Sequence, residues 1–313
     1  MKIFVLGSVV QALCWKVEQL PKPGETRTAS ALSSEIGGKG INVAIGTRRL
    51  GADVDTLLGI GHDATGDKVL SLLEQEGVSI AYAWRLAPQS GYGAGFIAAD
   101  GQNAIAVYPG PNLLLDESHV QHAKSAIHEA DLVYGQLETA LPAVASAFRM
   151  ACKNGVRTVL NPSPWQILPK SLLDDTDVLI VNEVEVRELL ALTSPLHGSL
   201  QECAKFLHTR LASFWQQWPG SLVVVTLGST GSIAFERNGT IHQVPAFQIE
   251  AVDSVGAGDA FASSFCVELC KQTPLSAALL QANACGAIVA SRFGVMDALP
   301  GQVELLNFFT SPA

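Results

Sequence analysis

A glycine-rich segment followed by one carboxylate is the part of this sequence whose residue types best suit chemistry. The segment is Asp253-Ser254-Val255-Gly256-Ala257-Gly258-Asp259-Ala260-Phe261, and an apolar, alanine-rich stretch follows it. Gly256, Ala257 and Gly258 permit a tight turn with exposed backbone N–H groups. Because the following stretch is predicted to be helical, its free N–H groups and positive dipole end point to the same place. The pattern therefore predicts an anion site, and phosphate is an anion that such sites commonly hold.

Asp259 is predicted to lie at the edge of this anion site. A carboxylate beside a phosphoryl group indicates a base that takes a proton from a hydroxyl while phosphate is transferred to it. An ordinary strand-to-helix turn with a capping aspartate would give the same short pattern. The segment alone leaves both interpretations open.

A second glycine cluster lies far upstream, in Gly37-Gly38-Lys39-Gly40-Ile41-Asn42, ahead of another helical pattern. Backbone without side chains can approach a ligand closely. Lys39 and Asn42 are also able to donate hydrogen bonds to hydroxyl groups. The second cluster favours a binding site over a simple capped turn.

The two clusters, in this order and position, resemble the two signatures of the ribokinase-like (PfkB) sugar kinases. Further segments match the same family: Pro23-Gly24-Glu25-Thr26, Gly135-Gln136-Leu137-Glu138, Asn161-Pro162-Ser163-Pro164, Asn182-Glu183-Val184-Glu185 and Thr226-Leu227-Gly228-Ser229. The resemblance runs from about Ile3 to about Pro300 and is nearer in pattern to ribokinase than to the nucleoside or fructose 1-phosphate branches. It implies an ATP-dependent kinase that phosphorylates a hydroxyl, expected to be a primary one, of a pentose or related carbohydrate.

Short apolar runs alternate with longer helical patterns along most of the chain. The runs include Asp53–Leu58, Leu132–Tyr134, Thr158–Leu160, Val178–Val181 and Leu222–Thr226, and the helices include Asp116–Ala130, Leu141–Asn154 and Ser199–Trp215. This alternation predicts an α/β fold with helices on both faces of a parallel sheet and ligands beyond the carboxyl ends of its strands. The resemblance adds a single domain over residues 1–313, a three-layer α/β/α sandwich with a mostly parallel central sheet. It also implies a small β-sheet lid from about residues 10–36 and 91–112, where irregular surface loops are the alternative.

The resemblance assigns roles to the residues of both glycine clusters. Asp259 is the implied catalytic base, in agreement with the argument from the residues, and the N–H groups of Gly256, Ala257 and Gly258 would stabilise charge on the γ-phosphate. The acceptor would be bound by Asp259 together with Gly38, Lys39, Asn42 and Glu138. A carboxylate at a strand end, as at Glu138, can equally be solvated or cap the next helix.

The second half of the chain is implied to bind the nucleotide and cations. The ATP-binding residues would be Asn182, Thr226, Gly228, Ser229, Gly231, Gly258 and Asn283. Glu185 suits Mg²⁺, expected to bind through water, although Asn182 and Glu185 could also simply begin a helix. Asp253, with the later loop Ser291–Gly294, implies a K⁺ site, but Ala298 replaces a hydroxyl that many family members carry further along that loop.

The chain departs from the family pattern near its first strand. Where ribokinases carry Gly-Ser-x-Asn-x-Asp, this sequence reads Gly7-Ser8-Val9-Val10-Gln11-Ala12. The missing aspartate normally binds the acceptor's hydroxyls, and hydrogen bonds to charged groups contribute about 1.5–3 kcal/mol. The acceptor is therefore expected to differ from ribose or to be selected less strictly. Gln11, Cys14 and Trp15 are the side chains that could fill the space.

Composition limits the remaining classes of function. A net charge of −9 argues against a nucleic-acid partner, and no apolar run reaches the ~18–20 residues of a membrane span. The six cysteines are scattered, so a reducing cytoplasm is expected. The family implies a homodimer through the lid. A nucleoside kinase and a sugar-sensing, non-catalytic homologue are the alternative functions.

Overall fold

The protein is described by a computed structural model that covers residues 1–100 and 102–310. Gly101 and the last three residues of the predicted 1–313 domain lie outside the described residues. The strands are β1 (Lys2–Leu6), β2 (Val10–Val17), β3 (Ala31–Gly37), β4 (Asp53–Gly61), β5 (Ser79–Ala87), β6 (Gly91–Ala98), β7 (Asn103–Tyr108), β8 (Leu132–Gln136), β9 (Arg157–Asn161), β10 (Val178–Asn182), β11 (Leu222–Thr226), β12 (Gly231–Glu236) and β13 (Ile241–Pro245).

The helices alternate with strands from β3 to β5 and from β7 to β11, as the sequence predicts, whereas the other consecutive strands are joined without an α-helix. They are α1 (Lys39–Arg49), α2 (Ala64–Gln75), α3 (Glu117–His122), α4 (Lys124–Glu129), α5 (Leu141–Lys153), α6 (Lys170–Asp174), α7 (Glu183–Leu189), α8 (Leu200–Gln217), α9 (Ala257–Cys270), α10 (Leu275–Ala290) and α11 (Gln302–Thr310). No helix in the described part of the chain is both long and apolar enough to cross a membrane.

Nine strands form the large central sheet, in the order β13-β12-β11-β10-β9-β8-β1-β4-β5. The seven strands from β11 to β5 are parallel, whereas β12 and β13 are added antiparallel at one edge. The α/β class with a mostly parallel sheet is confirmed. Parallel strands direct all their carboxyl ends to one edge, where the loops that follow them meet.

Two apolar cores cover the two faces of this sheet. Side chains alternate along a strand, so Ile3 and Val5 of β1 pack on one side and Phe4 and Leu6 on the other. The first side is covered by α1, α2, α9, α10 and α11, and the second by α3 to α8. The result is a three-layer α/β/α arrangement.

A separate four-stranded sheet has the order β3-β2-β6-β7 and is called the small sheet below. Its strands come from the two segments that were predicted to form a lid. β2 and β6 pair in parallel, while β3 and β7 are added antiparallel at the two edges. Asn112 joins the small sheet to the core, because its side chain accepts from Val9 N at 3.0 Å and donates to Val9 O at 2.9 Å.

Most predicted elements are observed with longer or slightly shifted ends. The capping box at Ser199 and Glu202 is confirmed at the start of α8. The predicted helix Asp116–Ala130 is wrong as one element, because the backbone at Ala123 leaves the helical conformation and divides it into α3 and α4. All six cysteines are free thiols.

Candidate active site

The carboxyl ends of the central strands bring the predicted site residues together. Ser8 follows β1, Glu138 follows β8 and Glu185 follows β10, while Asp259 enters from the first turn of α9. The charges of Glu138, Glu185 and Lys39 all affect the pKa of Asp259. Residues separated by more than 200 positions in the sequence therefore share one site.

Asp259 is a buried carboxylate, with 7% of its surface exposed. Its Oδ2 accepts a hydrogen bond from Asn42 Nδ2 at 2.7 Å. Burial raises the pKa of Asp259 from its ordinary 3.8 to about 6, although the positive charge of Lys39 and the Asn42 hydrogen bond act in the opposite direction. A carboxylate with this pKa is ionised near neutral pH and is a better base than an exposed aspartate.

Lys39 supplies positive charge beside this base. Burial on its own would lower the pKa of Lys39, but Asp259, Glu138 and Glu185 outweigh that effect and raise it. Lys39 is therefore a cation throughout the physiological pH range. The site combines one partly buried cation with three carboxylates, which suits a ligand that brings its own hydroxyl donors and a bound divalent cation.

Asn42 has one atom that the protein leaves unpaired. Its Nδ2 is used by Asp259, whereas Oδ1 is buried and accepts no hydrogen bond from the described residues. A buried acceptor without a donor is costly, so this atom is well placed for a hydroxyl of a bound molecule. Asn42, predicted to bind the acceptor, therefore has both the position and an unused hydrogen-bond acceptor atom for this role.

Glu138 connects the first strand to the start of α1. Its Oε2 accepts from Ser8 Oγ at 2.7 Å and from Lys39 N at 2.9 Å, and Ser8 Oγ in turn accepts from Gly40 N at 3.1 Å. Glu138 thus holds the start of α1 and does not cap α5, the helix after it. Sequence analysis did not identify Ser8 as part of the site, although it lies within the quoted family pattern.

The glycines of the first cluster are required by close packing. Gly38, at φ 123°, precedes α1, and a Cβ atom there would lie 2.6 Å from Ser8 O. A Cβ atom on Gly40 would lie 2.1 Å from Gly7 Cα. These glycines bring α1 against the turn after β1, which positions Lys39 and Asn42 beside Asp259.

The two glycines before Asp259 have different surroundings. Gly256 is the N-cap of α9 at φ 81°, and a Cβ atom there would meet Val295 Cγ1 at 2.4 Å. A Cβ atom on Gly258 would meet no atom within 4 Å. Gly256 is therefore needed for the backbone turn, whereas Gly258 and the first N–H groups of α9 border open space, as an anion site requires.

Asn182 and Glu185 form a reciprocal capping box at the start of α7. Asn182 Oδ1 accepts from Glu185 N at 2.9 Å, and Glu185 Oε2 accepts from Asn182 N at 2.9 Å. Asn161 Nδ2 also donates to Glu185 Oε2, at 3.3 Å. The structural interpretation of this motif is therefore correct, and the same bonds fix the orientation of a carboxylate that is only 3% exposed.

Comparison with known proteins identifies the family. A model of the pfkB family of carbohydrate kinases matches residues 1–302. The chain belongs to this family. A ribokinase from Staphylococcus aureus (strain COL) is 34% identical over 304 residues, which is 96% of each chain. A deoxyribokinase from Salmonella typhi is 29% identical over 313 residues, 99% of each chain.

The fold comparison agrees with this family. The structure of Arabidopsis thaliana ribokinase complexed with ribose and ATP has a TM-score of 0.90 to this kinase, with 25% identity and 99% of both chains covered. The chain is accordingly a carbohydrate kinase, a phosphotransferase with the ribokinase-like fold. The predictions of family, fold and enzyme class are confirmed.

The predicted nucleotide residues of this kinase lie beyond β11 and around β13. Gly228, at φ 53°, and the exposed Ser229 form a short 3₁₀ turn after Thr226, and a Cβ atom on Gly228 would meet no atom within 4 Å. Gly231 is different, because its Cβ atom would lie 2.3 Å from Val244 O. Asn283 Nδ2 donates to Val244 O at 3.1 Å and to Pro245 O at 3.2 Å, so its amide holds α10 against the end of β13.

Asp253 lies in the loop between β13 and α9, directly before the anion site. Its Oδ1 accepts from Val255 N at 3.0 Å, and its backbone N donates to Ala290 O at 3.2 Å. Asp253 also raises the pKa of the Glu35 carboxyl group, after the larger effect of burial. The loop is thus negatively charged, in agreement with a preference for cations.

The small sheet places Val10 and Ala12 on one face of β2. Alternation puts Cys14 on the same face and Gln11 and Trp15 on the opposite face. Gln11 donates to Glu35 O at 2.9 Å, and Trp15 stacks on Phe96 at 5.5 Å. Of the three side chains expected to fill the space left by the missing aspartate, Gln11 and Trp15 are therefore excluded.

Proposed function

We propose that this kinase transfers the γ-phosphate of ATP to a hydroxyl, expected to be a primary one, of a pentose or related carbohydrate. The observation that supports the proposal best is the position of Asp259. It is buried, held by Asn42, and placed in the first turn of α9 directly after Gly258, which borders open space. A base and an anion site are thereby brought within one residue of each other.

Asp259 would act as the general base of this transfer. Asn42 donates to Oδ2, so Oδ1 is the oxygen that would accept the proton of the acceptor hydroxyl. The hydroxyl oxygen forms a bond to the γ-phosphorus, and the bond between that phosphorus and the oxygen bridging it to ADP breaks. The N–H groups of Gly256, Ala257 and Gly258 would donate to the phosphoryl oxygens as their charge is redistributed.

The acceptor would be oriented by the residues around Asp259. Asn42 Oδ1 would accept from one of its hydroxyl groups, since no described residue donates to that atom. Lys39 would donate to oxygen atoms of the acceptor or the phosphate. Glu138, which already accepts from Ser8 and from Lys39 N, holds Gly38 and Lys39 in place.

The donor set on the nucleotide side fits ATP with Mg²⁺. Glu185 offers a buried and oriented carboxylate, and Mg²⁺ bound through it by way of water would neutralise charge on the phosphates. Asn182, Thr226, Gly228 and Ser229 would border the nucleotide. Gly231 and Asn283 contact the end of β13. They would therefore affect ATP binding indirectly, through the position of the chain that follows β13.

K⁺ is proposed to bind at Asp253. Asp253 and Asp297 both raise the pKa of the Glu35 carboxyl group by their negative charge. None of these three carboxylates takes part in an ion pair with a described residue. A monovalent cation would offset this concentration of negative charge. Rates in K⁺ and in Na⁺ at equal ionic strength test the proposal, and equal rates would contradict it.

The acceptor class is inferred from two relatives and from the small sheet. The relatives are, by name, a ribokinase and a deoxyribokinase, which points to a pentose. Ribokinases carry Asn and Asp at the positions of Val10 and Ala12. Here these positions, which lie beside Gly93 of β6, offer no hydrogen-bonding side chain to an acceptor. A pentose with fewer hydroxyls to satisfy is therefore favoured. A nucleoside, for whose base the small side chains of Val10 and Ala12 leave room, is the second candidate.

ADP release with Mg-ATP and K⁺ tests this function across ribose, 2-deoxyribose, hexoses, sugar phosphates and nucleosides. We expect pentose-dependent turnover, with a single phosphate added at the primary hydroxyl as judged by mass and ³¹P NMR. Turnover on a nucleoside alone would favour the second candidate. Absence of turnover on every acceptor would contradict the proposal and favour a sensing homologue.

We also propose that the small sheet acts as a lid and as the contact of a homodimer. Its edges β3 and β7 are unpaired in the described chain, and Leu32, Val107 and Tyr108 are more than half exposed there. Exposed strand edges with apolar side chains favour pairing with a second chain. Light scattering should give the mass of a dimer, and Leu32→Lys should shift it toward a monomer; a monomeric native protein would contradict this part of the proposal.

A further inference from the structure

A glutamate of the small sheet contacts the loop that supports the anion site. Glu35 lies on β3 directly opposite Ala12 of β2. Its carboxylate Oε2 is 3.5 Å from Val295 N and would lie 3.6 Å from a Cβ atom on Gly294. Glu35 and Val295 are 260 positions apart, so this contact joins the small sheet to the core.

A second contact joins the same two parts of the molecule. Lys16 Nζ of β2 lies over the Phe293 ring, 4.3 Å from its centroid. Lys16 and Ala12 point to the same face of β2 by strand alternation. Two residues of the small sheet therefore hold residues Phe293 to Val295 from the same side.

The contacted loop supports the first residue of the anion site. Val295 is buried, and its Cγ1 would lie 2.4 Å from a Cβ atom on Gly256, so its side chain packs against this turn. Gly256 is the N-cap of α9, and its carbonyl accepts the first helical hydrogen bond from Ala260 N at 2.9 Å. A displacement of Val295 would thus change the turn that points the Gly256–Gly258 amides at the phosphate.

We propose that Glu35 is a positioning residue that couples the small sheet to the anion site through Val295. When the small sheet is in place, Glu35 accepts from Val295 N, Val295 presses on Gly256, and the amides before Asp259 take their productive arrangement. When the small sheet moves away, this support is lost. Phosphoryl transfer would then depend on the position of the small sheet even though Glu35 does not contact the transferred group.

Glu35 lies close enough to Asp253 and Asp297 to be affected by their negative charges. This repulsion is consistent with a hydrogen bond to Val295 N that can form and break. Burial raises the pKa of the Glu35 carboxyl group, the hydrogen bond from Val295 N lowers it, and Asp297 and Asp253 raise it further. Within the described chain no cation forms an ion pair with Glu35. The Val295 amide is therefore its principal favourable partner in this position.

The test compares Glu35→Ala with Glu35→Gln and with Glu18→Ala. Gln keeps an oxygen that can accept from Val295 N. Glu18 is an exposed glutamate directly after β2, and its backbone carbonyl accepts from Ala99 N. Because the hydrogen bond from Val295 N goes to a charged group but is long, we expect Glu35→Ala to lower kcat about 5- to 10-fold. The KM values for acceptor and ATP should change less than about twofold, and Glu35→Gln and Glu18→Ala should stay within about twofold in kcat.

Val295→Ala supplies the second arm of the kinetic test. It removes the contact with Gly256, so combining it with Glu35→Ala should lower kcat no further than the larger single effect. Additive effects of the two changes would overturn the coupling. A rise in the KM for the acceptor with unchanged kcat would also overturn it, because Glu35 would then contact the acceptor itself.

Hydrogen–deuterium exchange makes the test independent of turnover. Glu35→Ala should increase exchange in segments 253–258 and 291–297 relative to the native protein and Glu18→Ala, while the remaining chain is unchanged. Unchanged exchange in both segments would overturn the inference. The inference rests on the proposed phosphoryl transfer at Asp259, but the two proposals can fail separately. A native enzyme without turnover would refute the transfer. Hydrogen–deuterium exchange would still decide whether Glu35 is coupled to the anion site.

Discussion

Replacing Asp259 by Asn should make the protein more stable while it removes activity. The pKa of Asp259 rises from 3.8 to about 6 chiefly because of burial. Since one pH unit in pKa corresponds to about 1.4 kcal/mol, ionising Asp259 in the folded protein costs about 3 kcal/mol more than in the unfolded chain. Asn resembles the protonated carboxyl group and can still accept from Asn42, so it avoids that cost.

The gain should depend on pH in a defined direction. A folded-state pKa above the unfolded value means that the contribution of Asp259 to stability is complete below about pH 4 and is lost as pH rises through about 6. The free energy of unfolding of Asp259→Asn should therefore exceed that of the native protein by up to about 3 kcal/mol at pH 8. The difference should vanish near pH 4.

Urea denaturation of the native protein and Asp259→Asn at pH 4, 5, 6, 7 and 8 measures this difference. Glu74→Gln, at an exposed glutamate of α2, is the matched control for the loss of one carboxylate. A variant that is less stable than the native protein at pH 8 would refute the reasoning. So would a difference that stays constant across the pH range.

Three further predictions follow from the same contacts. Gly258→Ala should leave the melting temperature within about 2 °C of native, because the new Cβ atom would meet no atom within 4 Å. The same change should lower kcat at least about tenfold by crowding the phosphate, as measured by ADP release. An unchanged kcat would show that Gly258 is not part of the anion site. Asn182→Ala should cost about 1 kcal/mol of unfolding free energy through loss of its cap; an unaltered urea midpoint would contradict this. The double change Val10→Asn with Ala12→Asp should lower the KM for ribose about tenfold by restoring charged hydrogen bonds; an unchanged KM would show that these positions do not face the acceptor.

The sequence was sufficient for the parallel part of the large sheet, because short apolar runs mark its central strands and a helix follows β4, β8, β9 and β10. The capping box at Ser199 and Glu202 was also visible, since its residue types stand at the characteristic spacing. The break at Ala123 was not, because neither a glycine nor a proline marks it and the helical pattern continues across it. The antiparallel strands β12 and β13 likewise depend on pairing at the sheet edge rather than on their own patterns.

Within the site, the sequence identified residues better than it identified their contacts. Asp259, Asn42, Lys39 and Glu138 were found from motifs, but the bond from Ser8 to Glu138 and the contact of Glu35 with Val295 join positions more than 100 residues apart. No local pattern encodes such pairs. Asn283 shows the converse, because a residue selected by resemblance turned out to hold α10 against the end of β13.

Steady-state kinetics of Asp259→Asn with the acceptor that the native enzyme uses tests the central claim most directly. If Asp259 is the general base, kcat should fall about 10²- to 10⁴-fold while the KM for ATP changes little. The logarithm of kcat/KM for the native enzyme should also fall with unit slope below about pH 6, where Asp259 becomes protonated. A variant that keeps more than about a tenth of the native kcat would contradict the assignment of Asp259 as the base.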